Sequence, residues 1–151
     1  MAINIVERPA LTVVGMKIVT QPMSPEIPAL WNRFVARIDE IENTLEPRVS
    51  YGVMWSGASM QELHYIAGIS VTSADRIPAG MTSHALPAGT YASFKYPLSG
   101  LQLGFREIFE KLMPASGYVQ LNTAHFERYD EAFDPANSAS LVEICLPVRA
   151  R

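Results

Sequence analysis

Apolar residues in the first half of the chain follow the patterns of a strand, a helix and a strand pair. Residues 3–20 are dense in β-branched side chains, which favour a strand, and an Arg-Pro pair at residues 8–9 marks a bend in it. Within residues 27–41 apolar side chains recur at spacings of three and four, which predicts a helix with one apolar stripe. Residues 48–57 and 62–72 predict a hairpin.

The second half of the chain repeats this order. Residues 90–98 predict a strand, a second helical stripe follows, and residues 124–133 and 140–150 predict two more strands. Equivalent positions in the two helical stripes, Leu30 and Leu101, lie 71 residues apart. We interpret this order as an internal duplication of a βαββ unit. It predicts an α+β fold with pseudo-two-fold symmetry, a mainly antiparallel sheet with two helices, and a ligand cleft between the halves.

Composition narrows the class of protein. The 151 residues, 48% of them hydrophobic, suit a single domain over residues 1–151 with approximate halves 1–75 and 76–151. A net charge of −3 without a basic run argues against direct nucleic-acid binding by this chain. No apolar run approaches the ~20 residues of a membrane span. The first ten residues lack the pattern of a signal peptide, so no membrane contact and a cytoplasmic location are predicted.

Two glutamates interrupt strands that are otherwise rich in apolar residues. Period-two alternation places His125, Glu127 and Tyr129 on one face of their strand, and Glu143 lies within the apolar run 141–148. Either carboxylate could lie on a solvated face of the sheet. Either could instead line a pocket, where it would attract a cation or, with a raised pKa, act as a general acid or base. The residues alone leave both interpretations open.

The predicted strands hold more phenol groups than a core of this size needs. Core packing is the ordinary role of a strand aromatic, but a buried phenol also requires a hydrogen-bond partner. We therefore expect some of these side chains to line a cavity. They are Tyr51, Tyr65, Tyr91, Tyr96 and Tyr129, together with Trp55.

The sequence offers no metal or cofactor motif. His64, His84 and His125 lack metal-ligand spacing, and the His-x-Glu at residues 125–127 has no accompanying P-C-x-x-C. Cys145 lies in an apolar strand and is expected to be buried and unreactive. Neither a nucleophile elbow nor a phosphate-binding glycine loop occurs. No cofactor and no metal site are predicted.

Four short motifs, in order, resemble a known family. They are P-A-G-T-Y at residues 87–91, P-A-S-G-Y at 114–118, F-E-R-Y at 126–129 and E-I-C-L-P-V at 143–148. Together they resemble the GyrI-like small-molecule-binding domain, which is also the effector-binding domain of AraC-type and MerR-type multidrug transcription regulators. The resemblance implies a duplicated βαββ fold whose cleft receives hydrophobic ligands, cationic ones included, beside an acidic residue.

Residue roles follow from the resemblance position by position. It implies Glu127 and Glu143 as the acidic residues of the cleft, and Tyr51, Trp55, Tyr65 and Tyr129 as its walls. Some stand-alone members resembling this chain are proposed to hydrolyse strained electrophiles, with roles that Glu127 and either Tyr129 or Tyr91 could fill. Others inhibit DNA gyrase.

Three functions remain open at the level of sequence. The first is a stand-alone small-molecule-binding protein linked to transcription regulation or xenobiotic response. The second is a small-molecule hydrolase, ranked well behind, so enzymatic activity is not the expected function. The third is a gyrase-type inhibitor with a protein partner. No helix-turn-helix precedes the domain, so regulation of a promoter by this chain alone is not expected. The sequence defines no oligomeric state.

Overall fold

The computed structural model describes residues 3–59 and 61–151. Within them, nine strands and two helices follow one another along the chain. In order, they are β1 (Asn4–Arg8), β2 (Leu11–Thr20), α1 (Glu26–Val35), β3 (Ser50–Ser56), β4 (Leu63–Val71), β5 (Thr82–Leu86), β6 (Gly89–Pro97), α2 (Leu101–Glu107), β7 (Tyr118–Gln120), β8 (His125–Tyr129) and β9 (Leu141–Ala150). A π-helical turn over Ile108–Leu112 extends α2.

The strands form one antiparallel sheet in the order β1-β6-β9-β8-β3-β4-β2-β5, with β7 paired to β9. The α+β class, with a mainly antiparallel sheet and two helices, is therefore confirmed. The order is symmetrical about the central β8–β3 pair: β9 and β4 lie outside it, then β6 and β2, then β1 and β5. A duplicated unit would produce this arrangement, although the duplication itself stays a prediction.

Short connections force the sheet to curl. Only Pro9 and Ala10 join β1, at one end of the sheet, to β2, which is next to the other end. Three Cα–Cα steps span at most about 11 Å. In a flat sheet the two strands would be six strand spacings, about 29 Å, apart. The predicted bend at residues 8–9 is therefore a break between two strands, where the chain crosses from one end of a curled sheet to the other.

The curl gives the sheet a concave and a convex face, each with its own core. The concave face encloses a cluster that includes Val13, Tyr51, Val53, Tyr91 and Phe126. On the convex face, α1 packs against β2 and β4, and α2 with its π-helical extension packs against β6 and β9. The convex face between the two helices is centred on the β3–β8 pair.

The two approximate halves exchange their edge strands. β1, from the first half, pairs with β6 in register Val6↔Tyr91, and β5, from the second half, pairs with β2 in register Val13↔His84. The sequence pattern predicts a long connection where β5 lies. A strand of five residues is too short for its alternation to be recognised in the sequence. Each half of the sheet is thus completed by a strand from the other half of the chain.

Among the described residues, no helix is long and apolar enough to cross a membrane. The predicted first helix is also shorter than its apolar stripe. α1 ends at Val35, and a 3-10 turn over Ile38–Glu40 follows. The stripe nevertheless identifies the buried side of this segment, because Leu30, Phe34 and Ile41 all belong to the core beneath it.

Candidate functional site

A buried carboxylate lies at the centre of the convex face. Glu127 is on β8, directly opposite Gly52 of β3, and its side chain is only 7% exposed. Tyr129 follows two residues later on the same face, as the alternation of the strand predicts. The position is the seam between the two halves of the sheet, under α1.

Two phenols donate hydrogen bonds to the same oxygen of this carboxylate. The hydroxyl of Tyr129 lies 2.7 Å from Glu127 Oε1, and the hydroxyl of Tyr65 lies 3.0 Å from it. Trp31, on α1, donates its indole N–H to the Tyr65 hydroxyl at 2.9 Å. Glu127 Oε2 accepts no hydrogen bond from the described side chains. The two phenols thus orient one carboxylate oxygen, and the other oxygen can accept a hydrogen bond or a positive charge from a ligand.

Aromatic rings enclose the carboxylate. The ring of Trp31 meets that of Tyr129 edge to face at 5.3 Å between centroids, and Tyr129 meets Phe133 in the same way at 4.8 Å. All three rings are half-buried. Their π faces favour a cation, and the bulk of the apolar rings keeps water from the carboxylate. Any ligand that reaches Glu127 must displace part of this aromatic layer.

Glycine at position 52 makes the close packing possible. A Cβ atom there would lie 2.2 Å from the Tyr65 hydroxyl oxygen and 2.9 Å from Glu127 Oε1. The phenol of Tyr65 cannot retreat, since it is 1% exposed and hydrogen-bonded to Trp31 and Glu127. A glycine inside a strand often marks such an approach.

Replacing Gly52 by Ala is expected to lower the free energy of unfolding by about 2 kcal/mol, because overpacking displaces the Tyr65–Glu127 pair. Urea denaturation measures it. Gly89→Ala is the matched control, since a Cβ at this strand glycine meets no atom within 4 Å. That control should cost less than about 0.5 kcal/mol. Equal losses in the two variants would contradict the packing role of Gly52.

Burial perturbs all three titratable groups of the site. It raises the pKa of Glu127, and the hydrogen bonds from Tyr129 and Tyr65 offset only part of the rise. The pKa values of Tyr65 and Tyr129 are held well above the ordinary range of a phenol, first by burial and then by the Glu127 charge. Both phenols therefore act as donors, and Glu127 is the group whose charge can change.

Glu143 does not share this site. It lies on the concave face, where Arg8 Nη2 is 2.9 Å from its Oε1 and Ser93 donates a hydrogen bond to its Oε2. Arg128 approaches the same carboxylate at 3.9 Å. Burial works to raise its pKa, but Ser93 and the two cations outweigh burial and the pKa is lowered. Glu143 is therefore ion-paired on the face of the sheet opposite Glu127. Its role in ligand binding stays a prediction.

Three of the predicted aromatic residues also face the concave side. The hydroxyl of Tyr51 donates to Glu46 at 2.6 Å, and that of Tyr91 donates to the Pro87 carbonyl at 2.8 Å. The ring of Trp55 stacks with those of His64, at 5.3 Å between centroids, and His84, at 4.5 Å. Of the predicted wall residues, the structure brings Tyr65 and Tyr129 together with Glu127 and places Tyr51 and Trp55 on the other face. Tyr91, the alternative phenol of the hydrolase hypothesis, is also on that other face.

The histidines and the cysteine lie apart from one another in the described part of the chain. No group of three or more metal-ligating side chains gathers there. Burial lowers the pKa of His125 to about 4, which keeps its imidazole neutral at physiological pH. Cys145 is fully buried, and burial raises its pKa to about 12. The expectation that this thiol is buried is confirmed.

Three members of the site were not singled out from the sequence. Trp31 belongs to the apolar stripe of α1, where helical spacing indicates core packing, yet its N–H reaches across to Tyr65. Gly52 could have been identified from the sequence, since an isolated glycine within a strand often marks a place where another group packs closely against the backbone. Phe133 lies at the end of the predicted strand 124–133, but β8 ends at Tyr129 and Phe133 belongs to the loop that follows.

The fold and the sequence together define the family of this chain. The chain matches the GyrI-like small molecule binding domain over residues 1–149, and it belongs to that family. It is also 34% identical over 148 residues to the transcriptional regulator BrlR of Pseudomonas aeruginosa. That match covers 96% of this chain and 54% of BrlR, so the chain spans about half the length of the regulator.

Solved structures share the fold at lower identity. SAV2435, whose structure was determined bound to tetraphenylphosphonium, is similar with a TM-score of 0.77 and 19% identity, over 99% of this chain and 94% of that one. EcmrR, in a complex with DNA, is similar with a TM-score of 0.72 and 15% identity. That match covers 99% of this chain and 58% of EcmrR. At these identities the likeness shows the fold alone.

Proposed function

We propose that a cleft opens on the convex face beneath the rings of Trp31 and Tyr129, and that this convex cleft binds hydrophobic organic cations with Glu127 as the counter-ion. One observation carries the proposal: a 7%-exposed carboxylate, held by two phenols on one oxygen, lies beneath a layer of aromatic rings. No basic side chain is hydrogen-bonded or ion-paired to it within the described residues. A buried carboxylate without a cationic partner is costly unless it is protonated or receives a cation from elsewhere.

Binding requires the cleft to open. Trp31 and Tyr129 cover Glu127, and the indole N–H of Trp31 is held by Tyr65. A ligand would displace these rings and then stack against them, exchanging ring–ring contacts for cation–π contacts. The tetraphenylphosphonium bound to SAV2435 is a molecule of this class, and it supports the choice of ligand for a chain with the same fold.

The proposal is tested by comparing two ligands of similar shape and different charge. Methyltriphenylphosphonium should bind saturably and quench tryptophan fluorescence, whereas neutral triphenylphosphine oxide, with an oxygen in place of the methyl group, should bind at least about ten-fold more weakly, because it brings no charge to Glu127. Isothermal titration calorimetry provides both affinities. Equal affinities would contradict a counter-ion role for Glu127 and favour a purely apolar cleft.

The hydrolase alternative has two candidate phenols. Tyr91 lies on the concave face, away from Glu127, which favours Tyr129 as the partner. Tyr129, whose hydroxyl is 2.7 Å from Glu127 Oε1, is the phenol that such a mechanism would have to use. Binding remains the proposed function, because the aromatic cover explains a ligand site without any further reacting group.

A further inference from the structure

A histidine shares the convex face with Glu127 and takes no part in the site described above. His125 precedes Glu127 by two residues on β8, and it lies directly opposite Met54 of β3. Residues that are directly opposite in an antiparallel pair share a face, and Met54 belongs to the core on the convex side. Because two residues of a strand span about 7 Å, the imidazole is the next polar group along the strand from the carboxylate.

The imidazole of His125 has no hydrogen-bond partner among the described residues. Its side chain is half-buried. Within the described chain, the unpartnered polar atoms that are fully buried are Arg8 Nε and His64 Nδ1, so both ring nitrogens of His125 keep some exposed surface. A neutral imidazole has one donor and one acceptor nitrogen. Leaving both unpaired in a half-buried place costs free energy, which a polar atom of a ligand would recover.

His125 and Glu127 can accept different parts of one ligand. Burial lowers the pKa of His125 to about 4, so the imidazole is uncharged at neutral pH. It forms no ion pair with Glu127 in the described chain, and it therefore does not compete with a cationic ligand for the carboxylate. The convex face thus combines a carboxylate that accepts charge with an uncharged ring that can exchange a hydrogen bond.

An aromatic flank of α2 faces the strand pair on which His125 lies. The rings of Phe105 and Phe109 stack with 6.4 Å between centroids, and Phe109 is 44% exposed. Glu107, about 200° round the helix from each of them, accepts a hydrogen bond from Tyr96 of β6. Because β6 is farther from the centre of the sheet than β9, the Glu107 flank is the outer one. The two phenylalanines therefore offer apolar contact surface on the central side of α2.

We propose that His125 is a specificity-determining residue of the convex cleft, and that it selects hydrophobic cations with a hydroxyl group about 7 Å from the positive charge. The cation pairs with Glu127, and the hydroxyl exchanges a hydrogen bond with the imidazole. A hydroxyl suits either tautomer of the ring, since it can both donate and accept. This inference rests on cation binding at Glu127 and adds a second feature to the ligand.

Two phosphonium ions that differ in a single group test the selection. They are 4-(hydroxymethyl)phenyl-triphenylphosphonium and its 4-ethylphenyl analogue, in which a methyl group replaces the hydroxyl. Calorimetry on the wild type should show about five-fold tighter binding of the hydroxyl compound, as expected for one uncharged hydrogen bond. In His125→Leu this preference should disappear or reverse, because the hydroxyl then lacks a partner. The same ratio of affinities in the two proteins would overturn the role of His125.

A measurement on the wild type alone does not depend on how the variant folds. In ¹H–¹⁵N spectra of the imidazole groups, the hydroxyl compound should shift the ring nitrogens of His125 further than the ethyl compound does. The signals of His64 and His84, which stack with Trp55 on the concave face, should move with neither. Binding of both ions without a difference at His125 would refute this inference and leave cation binding intact. Failure of both ions to bind would contradict cation binding at Glu127, and selection by His125 with it.

Discussion

Replacing Glu127 by Gln is expected to weaken binding of tetraphenylphosphonium by about 30-fold or more, which is the loss typical when one partner of a desolvated charge pair is removed. The substitution keeps the shape of the side chain and removes its charge. Tyr65 and Tyr129 can still donate to the amide oxygen, so the aromatic layer should stay in place. Calorimetric titration of the two proteins measures the effect.

Glu143→Gln is the matched control for this result. Glu143 occupies the equivalent kind of strand position but faces the concave side, where Arg8 and Ser93 bind it. Its replacement should leave the affinity for tetraphenylphosphonium within about two-fold of the wild type. A 30-fold loss in Glu143→Gln, together with no loss in Glu127→Gln, would reverse the assignment of the cleft.

The contrast between the two glutamates shows where inference from sequence stops. Alternation within one strand correctly relates Glu127 to Tyr129, because a period of two is a local property of the backbone. The relation between Glu127 and Glu143 depends instead on the register of β8 against β9. Arg128, not Glu127, is opposite Glu143, so the two carboxylates fall on opposite faces of the sheet.

The register of the strands also determines which aromatic residues share the face of Glu127. Tyr51 is opposite Arg128 and shares its face, whereas Gly52 is opposite Glu127. Tyr65 reaches the carboxylate from β4 only because Gly52, on the strand between them, has no side chain. The class of fold and the identity of the central glutamate were therefore within reach of the sequence. Which residues surround that glutamate could be determined only from the register of three neighbouring strands, β4, β3 and β8.

The two faces of β8 have different electrostatic environments. The strand presents Glu127 and Tyr129 to the convex face and Phe126 and Arg128 to the concave interior. Among the described residues, the convex side has a carboxylate that lacks a cationic partner, and the concave side has balanced ion pairs. A cationic ligand would therefore neutralise a buried charge on the convex face, where we propose that it binds.

Cation binding at Glu127 should depend on pH over a range set by this carboxyl group. Burial raises the pKa of Glu127 above the ordinary value of 4.5, so below the raised value a cation must displace a proton to bind. Affinity for tetraphenylphosphonium should fall about ten-fold for each pH unit below that value and become constant above it. Titrations over a pH series measure this, and Glu127→Gln should remove the dependence. A pH-independent affinity in the wild type would contradict proton displacement.

The free energy of unfolding should depend on the same carboxyl group, but it should fall with rising pH where the affinity for the cation rises. In the unliganded protein the folded state holds the Glu127 proton more tightly than the unfolded chain does. The free energy of unfolding therefore falls as pH rises from 4.5, the ordinary value, through the raised pKa. Glu127→Gln lacks this loss and should gain stability relative to the wild type over that range, as measured by urea denaturation. Saturating tetraphenylphosphonium should abolish the difference for the wild type, because the bound cation replaces the proton as the partner of the carboxylate.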